Sequence, residues 1–300
     1  MEPRIKNGWL RAVLFMPIWF FAQAIVQGGV FFAMMISSGV NIKDPAAIES
    51  FATSMQEMSS FGSPIMLLMT VLGILSSFAA IWFMMAVVNR EPLMDIGLSV
   101  ENRGKEMLAG LGGALVFIGG IFLILWFLGA ITITEVVGFK PEIFIVSIAL
   151  FIAAFNEEIV FRGYLLKNMM DATDDRWTAL AVSSLIFALI HAGNPNIISS
   201  WVPITELFAA GFILGISYTF TKNLWLPTFF HFGWNFFQGL FGFEISGMGV
   251  DSWKMIAHEN TGNVPDVISG GAFGIEGSVV SLCCTILGTY LIFKYYNEKR

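Results

Sequence analysis

Two glutamates stand side by side in an apolar run from Ile143 to Leu166: Glu157 and Glu158, with Arg162 following on the next turn. Their neighbours are Phe, Ile, Ala, Val and Leu. A carboxylate at bilayer depth costs about 2.5–3.5 kcal/mol on insertion scales, so such groups are rare and usually functional. Two of the chain's three histidines, His191 and His231, also fall in apolar stretches, and Asn235 lies one turn beyond His231. Carboxylates, imidazoles and an amide together can activate water, hold a metal ion, relay protons or tie helices together.

Helix geometry sorts these groups. Adjacent residues point about 100° apart, so Glu157 and Glu158 cannot face one point, whereas residues four apart share a face. Glu158 therefore aligns with Arg162 and reads as half of a structural ion pair. Glu157 aligns with Ala153 and Phe161, which offer no partner, and stays available for chemistry. The same spacing puts Phe187 with His191 and His231 with Asn235. Polar faces avoid lipid, so the three helices should turn them inward to meet. At 1.5 Å per residue, Glu157 lies roughly 15 Å in from Lys167 and His231 roughly 10–13 Å in from Lys222, but His191 comes out roughly 20 Å in from Arg176. Tilt or late membrane entry of its helix would close that gap. Glu206, beside Pro203 and Thr205, reads as interfacial and structural, and His258 as a loop residue without an evident partner.

The elements that must position these groups follow from composition. The chain has 300 residues, 56% hydrophobic and 13% charged, about half the charge of a soluble domain. It reads as an all-α polytopic membrane protein, multi-pass in the cell membrane. About eight helices are expected: 10–35, 63–88, 107–131, 143–166, 177–192, 203–221, 224–241 and 278–296. The first is too long for a cleaved signal peptide. With both termini cytoplasmic, 13 of the 16 Lys and Arg residues fall inside, and only Lys43, Lys140 and Lys254 outside. The organisation reads as one membrane domain, with helices 1–3 in 1–142, a core of helices 4–7 in 143–241, and an outer loop plus helix 8 in 242–300. The loop 41–62 is polar, and the glycine-rich 242–277 is either an ordered cap or a mobile flap. The glycines at 110–120 and the Gly211–Gly215 pair suit close helix packing. No basic patch suggests nucleic acid, and adjacent Cys283 and Cys284 offer no disulfide framework.

Glu157-Glu158-x-x-x-Arg162, Phe187-x-x-x-His191 and His231-x-x-x-Asn235 resemble, in order and spacing, the CPBP intramembrane proteases, which include the CAAX prenyl endopeptidases and the Abi proteins. The resemblance covers about 143–241. Leu93–Leu98 is weakly similar to the segment that leads into that family's core. The resemblance implies proteolysis at or within the membrane, on a peptide or membrane-protein substrate. It assigns Glu157 and His191 to activating a water and His231 and Asn235 to stabilising the oxyanion, with Glu158, Arg162 and Phe187 in support. No cofactor is favoured. Zinc is the alternative, held by Glu157, His191 and His231, but a metal site would leave Asn235 without a role. Two other functions are carried alongside: a non-enzymatic protein of this fold serving in bacteriocin immunity or scaffolding, and an ion-coupled transporter, for which inverted repeats are not evident. Substrate identity and oligomeric state are not legible.

Overall fold

The computed structural model describes residues 2–58 and 61–299, so Met1, Ser59 and Ser60 of the first outer loop and Arg300 of the basic tally lie outside the described residues. Helices dominate. α1 (Gly8–Ser37) starts at the Asn7 cap, and α3 (Pro64–Phe83) starts at the Ser63 cap with Pro64 in its first turn. Such caps satisfy the otherwise orphaned amides of a first turn. α2 (Pro45–Met58) lies between them. α4 is Gly104–Phe127. α5 (Glu142–Glu158), a π-helical stretch Ile159–Leu166 and α6 (Lys167–Asp171) form one continuous rod. α7 (Arg176–Ile190), α8 (Val202–Thr221), α9 (Trp225–Leu240), the single turn α10 (Asp266–Ser269) and α11 (Val279–Glu298) complete the chain.

Helices occur at all eight expected positions. Among the described residues, six are long and apolar enough to cross a membrane, and Arg176–Ile190 is apolar but shorter. The chain is an all-α, multi-pass membrane protein. Four local differences have physical reasons. The loop 41–62 contains α2, which buries Phe51 and Met55 against Met35. α4 stops at Phe127, four residues early, because the chain turns at Gly129 (φ 67°) into β1 (Ile131–Val136). β1 pairs antiparallel with β2 (Ile256–Asn260), with a bulge between Ile133 and Glu135, so the 242–277 segment is tied down as an ordered cap. Within it Trp253, Phe273 and Ile275 are fully buried. Glu206, near the start of α8, is also buried. It accepts from Ser281 Oγ at 2.8 Å and Thr285 Oγ1 at 2.7 Å, which join α8 to α11.

The fourth difference resolves the depth mismatch. The α5–α6 rod runs past Leu166 to Asp171, and α7 begins five residues later, behind the Asp175 cap. Counted from those two ends, Glu157 is 14 residues deep and His191 is 15, or roughly 21 and 22 Å. The two groups are level. The α8–α9 hairpin is covered by the segment after the short 3-10 turn Leu93–Ile96: Asn223 Nδ2 donates to Ser99 O at 2.8 Å and Leu224 N to Gly97 O at 3.1 Å.

Glycines let several of the rods approach closely. A Cβ on Gly211 of α8 would lie 2.5 Å from the Ser184 Cβ of α7, and one on Gly110 of α4 would lie 2.7 Å from Leu226 O of α9. Glycine is what lets those backbones meet. α1 and α3 are joined by polar bonds instead: Ser77 Oγ accepts from Trp19 Nε1 and from Gln23 Nε2, each at 2.8 Å.

Candidate active site

Glu158 is fully buried and serves two partners through one oxygen. Its Oε1 accepts from Arg162 Nη1 at 2.9 Å and from His231 Nδ1 at 2.9 Å. The ion pair foreseen in the sequence is present, but its assignment as merely structural is too narrow, because the same carboxylate orients His231. Arg162, 1% exposed, also donates from Nη2 to Gly211 O at 3.2 Å. That carbonyl is within reach because Gly211 lets α8 press against α7. The guanidinium further stacks over the Phe187 ring at 4.7 Å. Breaking a buried pair by removing one partner costs about 3–5 kcal/mol, so this cluster holds α5, α8 and α9 in one register.

Glu157 projects elsewhere, as its 100° offset requires. Its Oε2 lies 3.9 Å from His191 Nε2 and 3.9 Å from His231 Nε2. Both gaps are too long for a direct hydrogen bond and short enough for one bridging water. His191 is the C-cap of α7, where Gly193 and Pro195 follow. Its ring folds back so that Nδ1 meets Phe187 O at 2.7 Å. A carbonyl only accepts, so Nδ1 carries the proton and Nε2 presents a lone pair in the neutral ring. Glu158 is likewise an acceptor, so His231 also keeps its proton on Nδ1. The two imidazoles thus turn their Nε2 atoms toward Glu157 by different means, one through a neutral carbonyl and one through a carboxylate.

Glu157, Phe187, His191, His231 and Asn235 line one cavity of about 1040 Å³. One side is apolar, with Leu207, Ala210, Ile213 and Leu214 of α8. Met66, Leu150 and Ala153 stand on another. The structure brings together every residue singled out in the sequence: four face the cavity with Phe187, and Glu158 and Arg162 stand behind them. Two contributors were missed. The Gly211 carbonyl carries no side-chain signal. Glu276, which also lines the cavity, lies far down the chain in a segment with no motif.

The donor types suit a zinc ion, but the spacing does not: among the described residues no three His, Cys, Asp or Glu side chains are grouped closely enough to hold one, and the Glu157–His separations of 3.9 Å exceed the roughly 3.4 Å between two ligands of a tetrahedral zinc. Each imidazole has its other nitrogen hydrogen-bonded, as metal-binding histidines do.

Comparison with known proteins covers this part of the chain. Residues 139–237 match the family model of the Rce1-like type II CAAX prenyl endopeptidases. The match takes in α5 through most of α9 and all three motifs. The uncharacterized protein YpbD of Bacillus subtilis (strain 168) is 38% identical over 79 residues, 26% of this chain and 35% of that protein. The match thus spans about a third of that relative's length. The three motifs in which the chain resembles the CPBP proteases all fall within the matched residues.

Proposed function

We propose that the chain is an intramembrane endopeptidase that hydrolyses peptide bonds of membrane-associated or prenylated CAAX-type peptides with a glutamate-activated water. One observation carries the reading: Glu157 Oε2 stands equidistant, at 3.9 Å, from the Nε2 atoms of two imidazoles whose Nδ1 atoms are both engaged, inside a cavity large enough for a peptide. The termini are proposed to lie on the cytoplasmic side, following the basic residues.

In this reading a water donates one hydrogen to Glu157 and the other to the His191 Nε2 lone pair, and turns its oxygen to the scissile carbonyl. Glu157 takes the proton as the oxygen attacks, then delivers it to the leaving amine. Such acid–base catalysis contributes about 10²–10⁴-fold. The oxyanion is met by the Asn235 amide and by His231. With Nδ1–H facing ionised Glu158, the His231 ring can hold a second proton on Nε2, and in that form it donates. Among the described residues, the serines and cysteines that line the cavity are Ser246 and Ser252, whose hydroxyls donate to Glu276 and to Phe61 O, so water is favoured over an acyl-enzyme. The metal-free route is preferred to zinc because it gives the Asn235 amide a task.

The test is mass-spectrometric mapping of cleavage in detergent, using a peptide library that includes prenylated CAAX peptides. Wild type and Glu157→Gln are run with and without a chelator. Cleavage by wild type alone, insensitive to chelator, is expected. Equal cleavage by Glu157→Gln refutes the assignment, and loss to chelator transfers it to zinc.

A further inference from the structure

Outside the matched residues, the cap formed by 242–277 places a buried carboxylate, Glu276, in the wall of the same cavity. Glu276 is 7% exposed, and its Oε2 accepts from the Ser246 backbone N–H at 2.7 Å and from the Ser246 hydroxyl at 3.0 Å. Ser246 (φ 51°) and Gly247 (φ 82°) are the central residues of a tight turn, closed by hydrogen bonds in both directions between Ile245 and Met248 at 3.0 and 2.9 Å. A turn with positive φ at both central residues suits glycine and disfavours serine. By accepting both donors of Ser246, Glu276 holds that residue in the disfavoured conformation. The turn and Gly249 after it line the cavity.

The position of Glu276 is itself fixed. Phe273 and Ile275 are fully buried on either side of Gly274 (φ 89°), where a Cβ would lie 2.1 Å from Glu244 O. Gln238 reaches the same corner from α9, donating to Glu244 O at 2.6 Å and lying close enough to Glu276 to favour its charged form. Gln238 continues the face of His231 and Asn235, at spacings of four and three. One carboxylate thus joins the turn, the cap and the α9 face. A packing staple alone would have no reason to stand in the cavity wall. Burial pushes the Glu276 carboxyl up from its ordinary range, against the pull of the Ser246 bonds. A glutamine at this position keeps an oxygen that can accept the same two bonds, so it is a close geometric mimic.

We propose that Glu276 is a positioning residue that holds the Ile245–Met248 turn as the wall against which a peptide substrate lies, and thereby sets substrate affinity. The proposal rests on the proteolytic reading above. Hydrogen exchange of the full chain in detergent tests it without requiring turnover. Glu276→Ala should speed exchange at Ser246 and Gly247 by roughly tenfold or more, and Glu276→Gln should stay close to wild type. Binding of a fluorescent library peptide to Glu157→Gln protein should weaken roughly tenfold when Glu276→Ala is added and recover with Glu276→Gln. In wild type the same change should raise KM and leave kcat within about threefold. Ser246→Ala, which removes only the hydroxyl bond, gives a milder shift in the same direction should Glu276→Ala fold poorly. Unchanged exchange at the turn overturns the proposal, as does a fall in kcat at constant KM or unaltered peptide binding. Failure of the proteolytic reading would show separately, as cleavage that ignores Glu157.

Discussion

Glu158 is the residue whose removal separates architecture from chemistry. Its Oε1 holds Arg162 at 2.9 Å and His231 Nδ1 at 2.9 Å, and both carboxylate and guanidinium are essentially unexposed. Glu158→Gln removes one charge and leaves the guanidinium buried without its counter-ion, held only by neutral groups such as the amide oxygen, Gly211 O and the Phe187 ring, which costs about 3–5 kcal/mol. For a chain of this size that is a fall of roughly 6–15 °C in melting temperature. Arg162→Met in the same protein removes the stranded charge, and replacing both partners of a buried pair by neutral groups is often close to neutral. The double variant should therefore melt near wild type. Its activity should not return, because His231 still lacks the carboxylate that holds Nδ1–H and supports a second proton. Losing an orienting partner of a functional imidazole costs between roughly 10²- and 10⁴-fold. The assay pairs differential scanning fluorimetry in detergent with cleavage of a peptide that wild type cuts. Recovery of both stability and activity in the double variant would refute the reasoning and reduce Glu158 to a counter-ion. No destabilisation in the single variant would refute the burial of the pair.

Asn235→Ala should lower kcat by about 10²–10³-fold with little change in KM, as removal of one oxyanion donor does, and equal kinetics to wild type would strike Asn235 from the mechanism. Gly211→Ala would place a methyl 2.5 Å from Ser184 Cβ and should cost about 1–3 kcal/mol, seen as a lower melting temperature that Ser184→Gly partly restores. His258, between Phe243 and Phe122 and without a hydrogen-bond partner for either ring nitrogen among the described residues, is pushed down by burial to about 4 from 6.5. The unfolded chain then binds a proton that the folded one refuses. Stability therefore falls as pH drops from 6.5 towards 4, by at most about 3 kcal/mol, and His258→Phe should flatten that part of the melting-temperature profile.

The sequence showed the site more clearly than the scaffold. The reason is energetic: in an apolar run, each ionisable group carries a cost that only pairing or function offsets, so Glu157, Glu158, Arg162, His191 and His231 stand out without structural help. Their division of labour was half legible. The 100° offset of adjacent residues separated Glu157 from Glu158, but a helix wheel sees only its own helix, and the second partner of Glu158 lies on α9. Depth was misjudged for a related reason. Lys167 looked like the end of its span, yet it is tied to Glu91 and Asp171 by Nζ contacts of 2.6 and 3.0 Å, so the rod continues past it. What stayed hidden was long-range and backbone-borne: the β1–β2 pairing, the Gly211 carbonyl on Arg162, and the Glu276 grip on Ser246.

Those hidden contacts share a logic with the visible ones. Adjacent carboxylates on one helix must face two directions, and the fold uses both. Glu158 turns into a buried cluster where its charge meets that of Arg162, and this fixes the ring of His231 from behind. Glu157 turns into the cavity, 3.9 Å from that same ring and from His191. The rigidity that the first requires gives the second its geometry: the short α7, ending at His191, is anchored through Phe187 to Arg162, and Arg162 to Glu158. A variant that loosens the buried cluster should therefore move both Nε2 atoms away from Glu157 together. One that alters Glu157 alone should leave the cluster and its melting temperature intact while abolishing cleavage.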